Sequence, residues 1–327
     1  MATRMKLGVP GDYLLRRDLC SYGYFLLAPN HWTPRTGVFS RVATLSEGPA
    51  LVELTQEGGA GSALAVRAGR GLSSAEKREL KGQLTRMLRL DEHEGTLAEF
   101  HRVDPRFAES GRGRLFRSAS LFEDVIKTVT SCNVTWPNTV NMNRRLCEVL
   151  GEEVETRSGV RHAFPTPKKL ARTRAATLRA RCRVGYRDAR IVELARLFST
   201  PVARGGVDVR WMEDPATPDD ALWDALIELP GVGPYAAANI LQLLGRYHRL
   251  PVDTESVRHG KTVLGMKGSS AQVMKQVHAH FAPMGRHAFR SYWFELWMFY
   301  ERKHGPSWTW ERDSTGKMFT AAVLNKA

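Results

Sequence analysis

The chain has 327 residues and is 43% hydrophobic, enough for a sizeable core and for two or three domains or lobes. Its 48 Lys+Arg exceed its 34 Asp+Glu, for a formal charge of +14 and a pI near 9.9, which favours an anionic partner, nucleic acid or anionic lipid, without choosing between them. With no run of about 18 apolar residues, no apolar signal region at the N-terminus and no close pair among Cys20, Cys132, Cys147 and Cys182, the composition argues against a membrane span, export, and a zinc or iron–sulfur site. The expectation is a reduced, intracellular protein.

Residues 11 to about 72 read as β-rich. Short aromatic or β-branched runs at 22–27, 38–45, 50–55 and 64–67 are separated by turn residues at Pro29-Asn30, Gly48-Pro49 and Gly58-Gly59-Ala60-Gly61. They predict a small antiparallel sheet. Ser73, with Glu76 three positions on, is a helix entry. The helical pattern then runs through Leu80, Leu84 and Leu88 onward to Phe100, and Asp104-Pro105 breaks it. The segment Gly111–Arg117 reads as a basic, flexible crossing whose arginines are either solvated or in reach of phosphate. Phe122–Thr130 is an amphipathic helix ending near Ser131-Cys132-Asn133, and Pro137 marks a fresh start that carries Met142, Leu146 and Leu150. Asn133 there has the residue type of a helix cap. Phe164-Pro165-Thr166-Pro167 opens another helix with Leu170 inward. Seven arginines follow between Arg172 and Arg190, a run that is usually a solvated face. Within it Tyr186 is read as core.

The most informative stretch is Leu226–Ala238, which contains Leu229-Pro230-Gly231-Val232-Gly233-Pro234-Tyr235. It reads as helix, tight turn, helix. Asp220 is placed to cap the first helix, whose Leu222, Leu226 and Leu229 recur at helical spacing. Pro230 ends it, Gly231 and Gly233 permit positive φ and leave the backbone bare, and Pro234 suits a first helical turn. The N–H groups of such a turn and helix start carry partial positive charge and suit phosphate. Asp253 lies 22 positions beyond Gly231, after one helix and the loop Pro251-Val252, and at the start of the helix 254–264. A carboxylate there is favoured by the helix dipole and is expected to stay ionised at neutral pH. The last strong helix, 286–303, is thick with aromatics. The tail beyond Trp310 reads as polar and frayed.

The hairpin and the Asp that follows it resemble the helix-hairpin-helix (HhH-GPD) DNA glycosylases, in their bacterial 3-methyladenine glycosylase II and 8-oxoguanine glycosylase branches. The specific motifs lie at 121–137, 226–238 and 251–259, and the resemblance extends over about 100–303. It implies an α+β, mainly α fold: a β-rich N-terminal domain with a trailing helix at 1–95, and a two-lobed helical glycosylase region at 96–327. It implies Asp253 as the catalytic carboxylate. Asn133, with Trp136, occupies the junction that enters the minor groove, and Gly231, Val232 and Gly233, with Lys261, contact phosphate. The final helix closes one wall of the base pocket through Phe294 and Met298, and Tyr235 also lines it. Tyr235 stands where bifunctional members carry a Schiff-base lysine, so a monofunctional enzyme is expected, excising a damaged base, preferably an alkylated purine, from double-stranded DNA. The alternatives are an 8-oxoguanine-type enzyme and a non-catalytic hairpin protein that binds damaged DNA. A monomer without membrane partner is expected, in the cytoplasm or nucleoid, or in the nucleus of a eukaryote. No cofactor or iron–sulfur cluster is implied; in relatives a monovalent cation sits on the hairpin backbone carbonyls.

Overall fold

A computed structural model describes residues 1–315. The N-terminal part forms one antiparallel sheet of β1 (Thr3–Leu7), β2 (His31–Thr33), β3 (Val38–Leu45), β4 (Gly48–Gln56) and β5 (Leu64–Ala68), in spatial order β1-β5-β4-β3-β2. Alternation sets its faces: Leu64, Val66 and Ala68 point into the core while Ala65 and Arg67 face solvent. Between β1 and β2 run the short helix α1 (Leu15–Leu19) and a single 3₁₀ stretch, Gly23–Leu26. The expected strand at 22–27 is therefore not one. Its side chains are buried all round rather than on alternate faces, which a half-buried strand would not allow.

Helix α2 (Ser74–Met87) begins with the expected capping box between Ser73 and Glu76. It does not run on to Phe100: Arg89 takes a left-handed conformation, φ 56°, and α3 (Glu94–Val103) starts afresh. Residues 112–117 are buried, not a flexible crossing: Arg112, Arg114 and Arg117 are 8%, 1% and 5% exposed. The middle of the chain holds α4 (Leu121–Ser131) and α5 (Trp136–Leu150), then an exposed hairpin of β6 (Glu153–Thr156) and β7 (Gly159–His162). After it come α6 (Pro167–Ala171), α7 (Ala175–Thr177), α8 (Asp188–Ser199) and α9 (Val209–Glu213). The helical hairpin consists of α10 (Asp219–Ile227) and α11 (Pro234–Leu243), and α12 (Thr254–Thr262), α13 (Ser270–Phe281), α14 (Ala288–His304) and α15 (Arg312–Thr315) complete the described chain. Pro218, not Asp220, precedes α10, and Asp220 instead lies in the first turn, paired with Arg249. The frayed tail expected beyond Trp310 includes α15, and its residues 316–327 lie outside the described residues.

Two hydrophobic cores result. One, the outer core, joins the N-terminal sheet, α2 and α3 to the C-terminal α12, α13 and α14. The other, the inner core, lies among α4, α5, α8, α10 and α11. Buried arginines cross between them: Arg89 donates to the carbonyls of Leu115, Gln242 and Leu243, and Arg117 to those of Arg86 and Leu243. On the opposite side Arg41 of β3 is paired with Glu123 of α4.

Candidate active site

Asp253 is the N-cap of α12. Its Oδ1 accepts from the backbone N–H of Glu255 (2.9 Å) and Ser256 (3.0 Å), and the Ser256 hydroxyl accepts from the Asp253 N–H in return. These bonds satisfy donors that the helix start would otherwise leave orphaned. The second oxygen, Oδ2, accepts the phenolic proton of Tyr235 at 2.9 Å. Burial raises the Asp253 carboxyl above its ordinary value, opposed by the Ser256 N–H and the Tyr235 hydroxyl. Tyr235 in turn is pushed well above the usual phenol range by burial and by the Asp253 charge, so it serves as a donor. The helix start thus gives the carboxylate its bonds but not a lowered pKa, because burial acts against them.

Helix α12 is tied to α14 by side chains. Ser256 Oγ and Tyr292 Oη are 2.8 Å apart, His259 Nε2 and Glu295 Oε1 2.7 Å apart, and the Tyr300 hydroxyl bonds Glu255. Both helices border a cleft of about 410 Å³ between the two cores. The outer core supplies Tyr22, Tyr24, Trp293 and Trp297; α4, α5, their junction and α11 supply Ser131, Val134, Thr139, Tyr235 and Asn239; Asp253, Thr254 and Glu255 stand at the edge. Its walls are largely aromatic. Trp293 stacks on Trp297 with centroids 5.2 Å apart, and Tyr22 lies 4.7 Å from Trp293. The indole N–H groups are anchored on the carbonyls of Ser21 and Cys20. Among the described residues, no lysine or arginine lines this cleft.

The expected site residues divide. Asp253, Tyr235 and Trp136 meet at the cleft. Trp136 is a wall of it rather than an outward group: its ring lies so close to Gly23 that a Cβ there would come within 2.9 Å. Phe294 and Met298 are not pocket residues. Phe294 is fully buried against Phe100 and Phe107, and Met298 packs on the outer core. One residue along a helix is a turn of about 100°, so the face presented to the cleft is that of Trp293 and Trp297. Tyr22 and Tyr24 were missed because their segment reads as a strand.

The hairpin turn also differs in detail. Gly231 has φ 78°, but Gly233 is extended, with φ −96°. Gly233 has no neighbour within 4 Å of the place a Cβ would take, so its backbone lies open. The Val232 side chain is buried in the inner core and its N–H is spent on Leu229, so it offers no direct contact. The N–H groups of Gly231, Gly233 and Tyr235 donate to no backbone carbonyl among the described residues. The carbonyls of Pro230, Gly231 and Val232 accept no hydrogen bond among the described residues, which suits them to a monovalent cation. Lys261 is exposed in the last turn of α12.

Asn133 is exposed at the end of α4 with φ 50°, the left-handed cap conformation, and stands beside the cleft wall. The buried Arg187 pins this junction by donating to the carbonyls of Val129 and Cys132. Tyr186, expected in the core, is 55% exposed, with the Arg187 guanidinium 4.5 Å from its ring centroid.

No family model matches the chain, and no curated protein sequence does either. Solved structures do. A 3-methyladenine DNA glycosylase from Archaeoglobus fulgidus shares 21% identity, with 92% of this chain and 99% of that one covered and a TM-score of 0.64. The 8-oxoguanine glycosylase/lyase of Clostridium acetobutylicum, in complex with double-stranded DNA containing cytosine opposite 8-oxoguanine, shares 20%, covering 93% and 98%, with a TM-score of 0.63. Its apo form shares 18%, covering 90% and 98%, with a TM-score of 0.62. The fold of this chain is the fold of these DNA glycosylases.

Proposed function

We propose that the protein is a monofunctional DNA N-glycosylase of base excision repair that acts on alkylated purines in duplex DNA. The observation that carries this reading is Asp253: a carboxylate with one oxygen committed to a helix start and the other at the edge of an aromatic cleft without lysine. The scissile bond is out of reach inside a duplex, so the nucleotide is turned out into the cleft. Aromatic faces attract a cationic base, which fits an N-alkylated purine. As the glycosidic bond breaks, its electron pair goes to the base and neutralises the ring charge. Positive charge grows at the sugar C1′ and is stabilised by the Asp253 carboxylate. Water adds to C1′ and gives a proton to Asp253, leaving an abasic site. The N–H groups of the hairpin turn and Lys261 hold phosphate, and Asn133 meets the gap in the duplex. The chain works as an intracellular monomer, with a monovalent cation on the hairpin carbonyls.

The test uses duplexes carrying one alkylated purine or one 8-oxoguanine, with half of each sample treated with alkali. Strand breaks that need alkali support the proposal. Breaks without alkali, trapped by borohydride, overturn the monofunctional assignment. Faster release of 8-oxoguanine would favour an 8-oxoguanine-type enzyme, a reading supported by the exposed, left-handed Asn133. Binding without release would mark a damage-binding protein. Asp253→Asn is expected to lower release by at least about 10²-fold, the scale of one missing electrostatic stabiliser, with duplex binding retained; wild-type release would refute the role.

A further inference from the structure

The hydroxyl of Ser256 sits where three bonds meet. Its oxygen accepts from the Asp253 N–H at 3.1 Å. It also lies 2.8 Å from Tyr292 Oη and 3.4 Å from Asp253 Oδ1. A hydroxyl has one proton to give and room to accept two. Only one direction of donation leaves every proton placed. Tyr292 is 3% exposed, and Ser256 is its one hydrogen-bond partner among the described residues. Were Ser256 the donor in that pair, the phenolic proton would be buried without an acceptor, an arrangement that folded proteins avoid. Tyr292 is therefore the donor. Both acceptor sites of Ser256 are then filled, and its own proton is left for Asp253 Oδ1, so donation runs from Tyr292 to Ser256 to Asp253. Tyr292 belongs to α14 but is not part of the cleft lining, where its neighbour Trp293 stands. It acts on the site from behind α12.

Resting on the proposed glycosylase activity, we infer that Tyr292 is a positioning residue: its hydroxyl commits the Ser256 proton to the carboxylate oxygen that Tyr235 does not touch. Two buried phenols, one from α11 and one from α14, thereby hold one carboxylate, the first directly and the second through Ser256. A carboxylate bonded on both oxygens keeps its orientation while positive charge develops beside it. Donors to its ionised form also oppose burial, which favours the neutral one. The groups that face Asp253 are Tyr235 of α11, Cys132 at the end of α4, Glu255 of α12, itself paired with Arg258, and Tyr292. Burial pushes the Cys132 thiol up to about 11, and burial with the Asp253 charge pushes both phenols above their ordinary value. An acid limb in the rate of base release therefore belongs to the two carboxyl groups that border the cleft, Asp253 and Glu255. The limb that Glu255→Gln retains is that of Asp253.

The test is the pH profile of single-turnover release from a duplex carrying one alkylated purine. Losing a donor to the ionised carboxylate favours its proton, so the acid limb moves to higher pH. Tyr292→Phe is expected to move its midpoint up by roughly half a pH unit, with duplex affinity unchanged. Ser256→Ala should move it further, by about one unit. Adding Tyr292→Phe to Ser256→Ala should then move it no more, because the phenol acts through that hydroxyl. A midpoint unmoved by Tyr292→Phe, whether or not the rate falls, or shifts that add in the double variant, would overturn the inference. A second measurement is independent of catalysis: NMR titration of the Asp253 carboxyl in the free protein, with isotope-labelled aspartate and the signal assigned by its loss in Asp253→Asn. An upward shift in Tyr292→Phe, in a protein whose wild type releases no base, would sink the glycosylase reading and keep the role of Tyr292. Release by wild type, with a carboxyl that titrates alike in both proteins, would do the reverse. Neither release nor a shift would sink both.

Discussion

Between Arg112 and Arg117 the chain buries three arginines; between Arg172 and Arg190 it exposes six of seven. In sequence the two stretches look alike, each basic and interrupted by small residues. The first is used inside the protein. Arg112 meets Glu301, Arg114 meets Asp12 at 2.6 Å, and Arg117 meets Asp91 and two backbone carbonyls. The second faces water, apart from Arg187, which caps the end of α4, and the surface pair of Arg179 with Asp188. What separates them is the supply of acceptors. A guanidinium is buried where carbonyls and carboxylates from distant parts of the chain converge on its fork. Only the second stretch keeps most of its guanidinium groups in water. Asp253 is a third case, a charge taken largely out of water with donors around it and, among the described residues, no lysine or arginine lining its cleft.

This contrast can be broken at several points. The largest effect on stability should come from Arg117→Ala, which leaves the carbonyls of Arg86 and Leu243 without their donor and a cavity between the two cores; a drop of about 2–4 kcal/mol is expected by denaturant unfolding. Unchanged stability would mean that the buried stretch is as replaceable as a surface one. Replacing Arg174 and Arg181 together by alanine should move unfolding by no more than about 0.5 kcal/mol. The same variant should weaken duplex binding whatever the sequence, and flatten the slope of log affinity against log salt by about 0.9 for each phosphate it no longer neutralises. If binding and its salt slope stay as in wild type, the exposed stretch takes no part in DNA contact.

The smallest effect sharpens the third case. Burial raises the Asp253 pKa in the folded state, so folding binds that proton more tightly than the unfolded chain does. The folded state then loses stability as pH rises from the ordinary carboxylate value through the raised one, and the penalty is fully present above the raised one. Asp253→Asn is therefore expected to melt above wild type at pH 7, with the margin closing as pH falls below the carboxylate range. A lower melting temperature at pH 7 would show that the bonds to the helix start outweigh the burial.

Much of the site was legible because it is local. The glycine turn, Pro234, the position of Asp253 at a helix start and the Ser73–Glu76 cap each depend on residues within a few positions of one another. The sheet was legible from alternation at 38–45, 50–55 and 64–67. What escaped depends on distant partners. Tyr22 and Tyr24 border the cleft only because Trp293 and Gln242 stand against them, and no period in 22–27 encodes that. Phe294 and Met298 differ from Trp293 and Trp297 by a single step along one helix, and a helix apolar on every side carries no phase. Tyr186 is held outward by stacking on Arg187, an arrangement its apolar neighbours do not announce.

The outer core is made from the two ends of the chain. The indole of Trp293 bonds the Ser21 carbonyl across 272 positions, and that of Trp32 reaches the carbonyl of Trp308. A chain emerging from the ribosome can consolidate its middle third long before these partners exist, since the inner core draws almost all its residues from between 121 and 241. The N-terminal strands, though made first, wait for the last helix. A nascent chain halted near residue 280 should accordingly resist proteolysis in the middle third and be digested at its beginning, so that assembly of the cleft is the closing event of biosynthesis.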